Sequence, residues 1–257
     1  MRPNLRQLKR GQSPLGTVPL IRIPEPFESL PLPEHFTLGR DKLGRLCLFD
    51  NRKDAPGPLC VDFLTGKGGW RARDISKNDL LPRAIGMKSA HPPRTVLDAT
   101  AGLGQDAASL AFLGVEVTAL EQSNVVHALL LDGIARAVAA KGELGAALHQ
   151  HLTLRCADAR HFLRMIGERS TILDVVYLDP MFREEKSARS RKEMQHLQSL
   201  LPEQSAAETE ELFRLALAVA AKRVVVKRPL HAPELAEHPT PSHTLKGKSV
   251  RFDVYLT

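Results

Sequence analysis

The chain has 257 residues, 43% hydrophobic and 25% charged, with a formal net charge of +7. That length buries a full core and suits one large domain with a smaller appendage, and no apolar run reaches the roughly 18 residues of a membrane span. The excess of Lys and Arg favours a polyanionic partner, because basic side chains release the counterions condensed on phosphates.

The first sixteen residues, MRPNLRQLKRGQSPLG, are basic but lack the apolar stretch of a secretory signal. Cys47, Cys60 and Cys156 are far apart, odd in number and without a CxxC pair. This pattern argues against a disulfide framework or a zinc knuckle and for a reducing cytoplasm. The ten histidines show no metal-ligand spacing, and no metal is expected.

Residues 1–33 read as an irregular, proline-rich arm. A small β-rich unit is expected over 34–88, with strands at 36–39, 45–50 and 59–64 separated by turn-forming RDKLG and NRKDAPGP. The glycine-rich, basic stretch TGKGGWRARD follows, then a short helix around 77–86. From 89 to 257 the pattern becomes strand–helix alternation. Strands are predicted at TVLDAT, VEVTALE, LTLRCAD, LDVVYLD and KRVVVKRP. Between them lie helices at QDAASLAFLG, NVVHALLLDGIARAVAAKG (N-capped by Asn124), ARHFLRMIGE and EQSAAETEELFRLALAVAA. Such alternation implies βαβ units and an α/β, Rossmann-like fold with a mostly parallel sheet of seven strands. The last two strands, joined through Lys246-Gly247-Lys248, form a hairpin that makes the final strand antiparallel.

The first strand–helix turn, VLDATAGLGQDA, carries Gly102, Gly104 and Ala107 in a Gly-x-Gly-x-x-Ala spacing. Glycines there let backbone approach a ligand, and the helix N-terminus offers free N–H groups. Glu121, about 20 residues on, ends the second strand where it can accept both ribose hydroxyls. Asp98, just before the turn, would repel the pyrophosphate of NAD. It suits the sulfonium and amino-acid end of S-adenosylmethionine instead. Asp158 closes the third strand, where it either accepts an adenine amino group or caps the following helix. Gln105 and Asp106 can cap their helix and also reach the ligand.

VYLDPMF ends the fourth strand on Asp179-Pro180. A carboxylate at that tip is at least a strand terminator. It also resembles the Asp/Asn-Pro-Pro-aromatic motif of methyltransferases acting on exocyclic amines or amides, with Met181 in place of the second proline. The Asp179 carboxylate and Pro180 carbonyl would each accept an N–H and direct the nitrogen lone pair, while Phe182 stacks on the base. Basic residues in four stretches are candidates for an RNA surface: Lys67, Trp70, Arg71 and Arg73; Arg183, Lys186, Arg191 and Lys192; Lys227 and Arg228; Lys246 and Lys248, with Arg251 nearby. A lone tryptophan is as often a core plug.

The VDATAGLG-like turn, VYLDPMF, KRVVVKRP and terminal KGKSVRFDVY, together with CVDFLTGKGGWRAR upstream, resemble the bacterial small-subunit ribosomal RNA methyltransferase J family from about residue 34 onward. The resemblance implies S-adenosylmethionine-dependent methylation of guanine N2 in 16S rRNA, on free RNA or the small-subunit particle. It also implies cofactor contacts at Gln105-Asp106, Glu121-Gln122, Asp158-Ala159 and Asp179. Competing readings are methylation of adenine N6 or a glutamine amide, a non-catalytic RNA-binding assembly factor, and an NAD dehydrogenase.

Overall fold

The computed structural model describes residues 30–53, 55–168, 173–180, 196–197, 199–201, 205–235 and 239–257. Two sheets form. The smaller has the order β1 (Phe36–Arg40), β2 (Leu46–Asp50), β3 (Leu59–Cys60), antiparallel throughout. The larger has seven strands in the order β6-β5-β4-β7-β8-β10-β9. Its members are β4 (Thr95–Asp98), β5 (Glu116–Glu121), β6 (Leu152–Cys156), β7 (Leu173–Leu178), β8 (Ala220–Pro229), β9 (His243–Lys246) and β10 (Val250–Leu256). Strands β4 to β8 pair in parallel, and β10 runs antiparallel to both neighbours, as the hairpin predicts.

Both faces of this sheet are covered, and strict alternation along the strands shows why. Val96, Val175, Tyr177 and Val225 point into one core with α3 (Gln105–Phe112), α4 (Asn124–Ala139) and the three-stranded sheet. Leu97, Val176, Leu178, Val224 and Val226 point into a second core with α6 (Ala159–Glu168) and α7 (Ala206–Val219). Helix α7 begins with a capping box: Ser205 Oγ accepts from the Glu208 amide, and Glu208 accepts from the Ser205 amide.

Several local expectations change. The third strand of the small sheet stops at Cys60, because Asp62 Oδ1 accepts the Leu64 and Thr65 amides and turns the chain. The glycine-rich stretch is a helix, α1 (Gly66–Arg73). A Cβ on Gly69 would stand 2.1 Å from the Phe63 carbonyl oxygen, so glycine lets this helix lie against the preceding chain. The short helix expected near 77–86 is α2 (Leu80–Ala84). Helix α4 is capped by Ser123, whose Oγ accepts from Val126 N, and not by Asn124. A further helix, α5 (Glu143–His151), fills a stretch the pattern left unassigned.

The expectation of unpaired cysteines is also overturned. Cys47 and Cys60 are facing partners across β2 and β3 and form a disulfide; Cys156 is free. Their separation of 13 residues hides a pairing that only the strand register reveals. Cysteine usage therefore no longer argues for a reducing compartment. No helix among the described residues is long and apolar enough to cross a membrane.

The small sheet is fastened to α4 through one buried carboxylate. Asp132 accepts from Arg40, from the Leu46 amide and from Arg136, which also reaches the Val61 carbonyl. This anchor sets the small sheet and α1 beside α3, whose N-terminus faces the crevice at the strand ends.

Candidate active site

Strand β4 ends on Asp98, and the chain then makes the turn Ala99–Gly104 before α3. Gly102 and Gly104 both have positive φ, 53° and 72°. At Gly104 an added Cβ would also lie 2.5 Å from Leu130 Cδ1 of α4. Strain and collision together predict that Gly104→Ala lowers stability by about 1–2 kcal/mol, read as a lower unfolding midpoint in urea.

Glu121, at the tip of β5, holds this turn in place. Its Oε2 accepts the Gly102 amide at 3.0 Å and its Oε1 the Ser123 amide at 2.7 Å. Burial pushes its pKa up to about 7, against those two amides. Asp98 is only 2% exposed and accepts the Thr100 amide at 3.1 Å. Burial, followed by the Asp106 charge, pushes it up to about 8. Gln105 and Asp106 open α3, where an acidic residue complements the helix dipole. Gln122 is exposed just past the tip of β5.

Asp158 follows β6. Its Oδ1 accepts the His161 amide at 3.0 Å and its Oδ2 pairs with Arg160 at 3.2 Å, so it does cap α6, whose first residue is Ala159. Burial raises its pKa, but the amide and the guanidinium outweigh that and hold it low. It is ionised at neutral pH, with 38% of its side chain open to solvent.

Asp179 follows β7, next to β4, and its amide donates to Thr100 Oγ1 at 2.6 Å. The tip of β7 is thereby tied to the cofactor-type turn by one hydroxyl. Asp179 Oδ2 lies 2.8 Å from Lys227 Nζ, which lies 2.9 Å from Asp106 Oδ2; Tyr177 OH donates to that same Asp106 oxygen at 2.5 Å. Pro180 is buried beside it, and Phe182 lies outside the described residues.

The basic candidates divide. Trp70 is 59% exposed on α1, so it is not a core plug, and Arg71 and Arg73 are exposed with it; Lys67 is on the same helix. Lys246 and Lys248 are exposed in the β9–β10 turn. That turn lies at the carboxyl end of the parallel strands, because Val250 is the register partner of Pro229. Lys227 and Arg228 are corrections. Lys227 points into the crevice between two carboxylates and not outward to RNA. Arg228, on the opposite face of β8, is 4% exposed and donates to the Pro233 carbonyl. Arg251 is likewise buried, bonded to Asp253 and to the carbonyls of Pro229, Leu230, Ala232 and Pro233. Both arginines brace the loop after β8. Arg183, Lys186, Arg191 and Lys192 lie outside the described residues. Thr100 and Tyr177 were not anticipated: a threonine in a turn and a tyrosine in a strand carry no signal until the register brings them together.

The donor set fits a cationic nucleoside cofactor. Asp98, Asp106 and Asp179 converge on the turn, a poor setting for a pyrophosphate and a good one for a sulfonium and an ammonium. This sheet order, with carboxylates at successive strand tips around a glycine turn, defines a methyltransferase that uses S-adenosylmethionine. Residues 34–257 match the family model described as "Putative SAM-dependent methyltransferase". Two ribosomal RNA small subunit methyltransferases J are similar to this chain. The one from Thioalkalivibrio sulfidiphilus is 46% identical over 79% of this chain and 78% of its own length. The one from Aeromonas hydrophila is 45% identical over 86% and 85%. The crystal structure of a SAM-dependent methyltransferase from Neisseria gonorrhoeae matches with a TM-score of 0.64 and 34% identity, covering 82% of this chain and 79% of that one. The chain belongs to the ribosomal RNA small subunit methyltransferase J family.

Proposed function

We propose that this chain methylates an exocyclic amine of small-subunit ribosomal RNA, with guanine N2 of 16S rRNA as the acceptor implied by its family, and that it works in the cytoplasm where that RNA is found. The observation that carries the chemistry is Asp179, whose backbone N–H donates a hydrogen bond to Thr100 Oγ1 at the tip of β7 and which is followed at once by Pro180.

An exocyclic amine is a poor nucleophile because its lone pair is delocalised into the ring. When bound, S-adenosylmethionine supplies an electrophilic methyl group on a good leaving group. The protein's part is orientation and electrostatics. Asp179 and the Pro180 carbonyl each accept one N–H of the amine, which turns its lone pair toward the turn at Gly102–Gly104. Asp179 then takes the proton that the nitrogen must lose. Glu121 accepts the ribose hydroxyls, with Gln122 beside it. Asp98, Gln105 and Asp106 hold the amino-acid end, and Asp158 with Ala159 the adenine. Phe182 stacks on the target base. Lys67, Trp70, Arg71, Arg73, Lys246 and Lys248, together with Arg183, Lys186, Arg191 and Lys192, are the candidate RNA ligands.

The test is transfer of tritiated methyl from S-adenosylmethionine to small-subunit RNA, assembled subunits, DNA and protein, followed by nucleoside analysis. Label in N2-methylguanosine is expected. Label confined to N6-methyladenine or to glutamine would move the acceptor, and cofactor binding without label in any fraction would favour an assembly factor.

A further inference from the structure

Lys227 is a basic residue held inside the crevice by two carboxylates. Its Nζ bridges Asp179 Oδ2 at 2.8 Å and Asp106 Oδ2 at 2.9 Å, and its side chain is only 24% exposed. The parallel register explains the meeting: Leu178 is paired with Val226, so Asp179 and Lys227 are the next facing positions on β7 and β8. Three carboxylates, Asp98, Asp106 and Asp179, lie around this one ammonium, with the Tyr177 hydroxyl fixed on the far side of Asp106. Unpaired, carboxylates so close together cannot all stay ionised.

We infer that Lys227 is a positioning residue for methyl transfer: it occupies Oδ2 of Asp179 and fixes the carboxylate's rotamer, so that Oδ1 is presented to the amine. This deepens the role proposed for Asp179 and rests on it. Oδ1 receives no hydrogen bond among the described residues. In the transfer, the amine nitrogen gains the methyl carbon as the carbon–sulfur bond breaks, and its proton passes to the Asp179 carboxylate and on to solvent.

Lys227 is not the base. Burial alone would lower its pKa, but the charges of Asp106 and Asp179 hold it above the ordinary lysine range, so it stays an ammonium throughout. Asp179 has the opposite balance: burial raises its pKa, the Lys227 charge pulls it down, and the Asp106 charge pushes it up. Removing the lysine charge therefore raises the pH at which Asp179 ionises, and removing the Asp106 charge lowers it.

Single-turnover rates over pH 6 to 9.5, with small-subunit RNA saturating and S-adenosylmethionine saturating, test this in Lys227→Gln, Lys227→Arg, Asp106→Asn and Asp179→Ala. Lys227→Gln is expected to lose several-fold at pH 7 and to recover toward high pH, its acidic limb moved up. RNA affinity should stay within threefold. Lys227→Arg should keep the wild-type profile, and Asp106→Asn should move the acidic limb down. The last shift reads the same coupling if Lys227→Gln fails to fold. A Lys227→Gln enzyme with an unchanged rate profile and weakened RNA binding would make Lys227 a phosphate ligand and overturn the inference, as would an unmoved limb in Asp106→Asn. An active Asp179→Ala enzyme would instead remove the acceptor role itself; an inactive one with a normal Lys227→Gln profile would remove the lysine's role alone.

Discussion

Asp179→Ala should bind S-adenosylmethionine within a few-fold of the wild type while losing at least ~100-fold in single-turnover methylation, about 2.7 kcal/mol of barrier. The separation is physical. The residues proposed to hold the cofactor, the turn with Glu121 and Asp98, make no bond to the Asp179 carboxylate. The carboxylate lines the crevice with 38% of its side chain exposed, so its truncation leaves a gap at the crevice mouth and not in the core. What disappears is an acceptor that matters only once the amine nitrogen becomes tetrahedral and acidic. Asp179→Asn sharpens the comparison: it keeps one acceptor oxygen and loses the charge, so it should fall between the two. Isothermal titration and a quenched single-turnover assay on the same preparations check both halves. Full turnover by the alanine variant would place the chemistry elsewhere.

Cofactor affinity should weaken with acid, by about tenfold per pH unit below about 8, the value to which burial and the Asp106 charge push Asp98. A cationic ligand binds the ionised carboxylate, so below that pH binding must first release a proton. Glu121, raised to about 7, ionises in the same range, and its protonation would remove a ribose acceptor and steepen the fall further at lower pH. Asp98→Asn is expected to flatten the dependence near pH 8 and to weaken binding about 100-fold at pH 8.5, where most of the wild-type charge is present. The ligand-free protein supplies an independent check of sign. Asp98 holds its proton when folded up to about 8 but loses it when unfolded near 3.8, so the folded state binds more protons between those limits. Stability conferred by that group is complete at low pH and is lost as pH rises toward 8. Asp98→Asn should remove that decline, and denaturant midpoints measured from pH 5 to 9 would show it. A cofactor affinity that is flat across this range in the wild type would contradict the assignment of Asp98.

Much of this was legible in the residues alone. Alternating apolar strands and helices between 94 and 229 imposed the parallel sheet, because only βαβ crossovers join such elements. Asp98, Glu121, Asp158 and Asp179 each stand at the end of a strand-like run, so their arrival at one edge follows from the topology. The glycines at 102 and 104 announced the turn, since few other residues tolerate its dihedrals. Motif resemblance added the kind of reaction.

What the sequence could not reveal is lateral registration. Cys47 meets Cys60, Asp132 gathers Arg40 and Arg136, and Lys227 meets Asp179 only because neighbouring strands and helices align at particular offsets. A basic residue near a strand end reads the same whether it faces solvent, as Lys246 does, or lies beneath a loop, as Arg228 does. Sequence periodicity reports which face a residue takes within its own element. Which partner waits on that face is decided by packing between elements, and here that packing turned two supposed RNA ligands, Lys227 and Arg228, into an internal counter-ion and a loop brace.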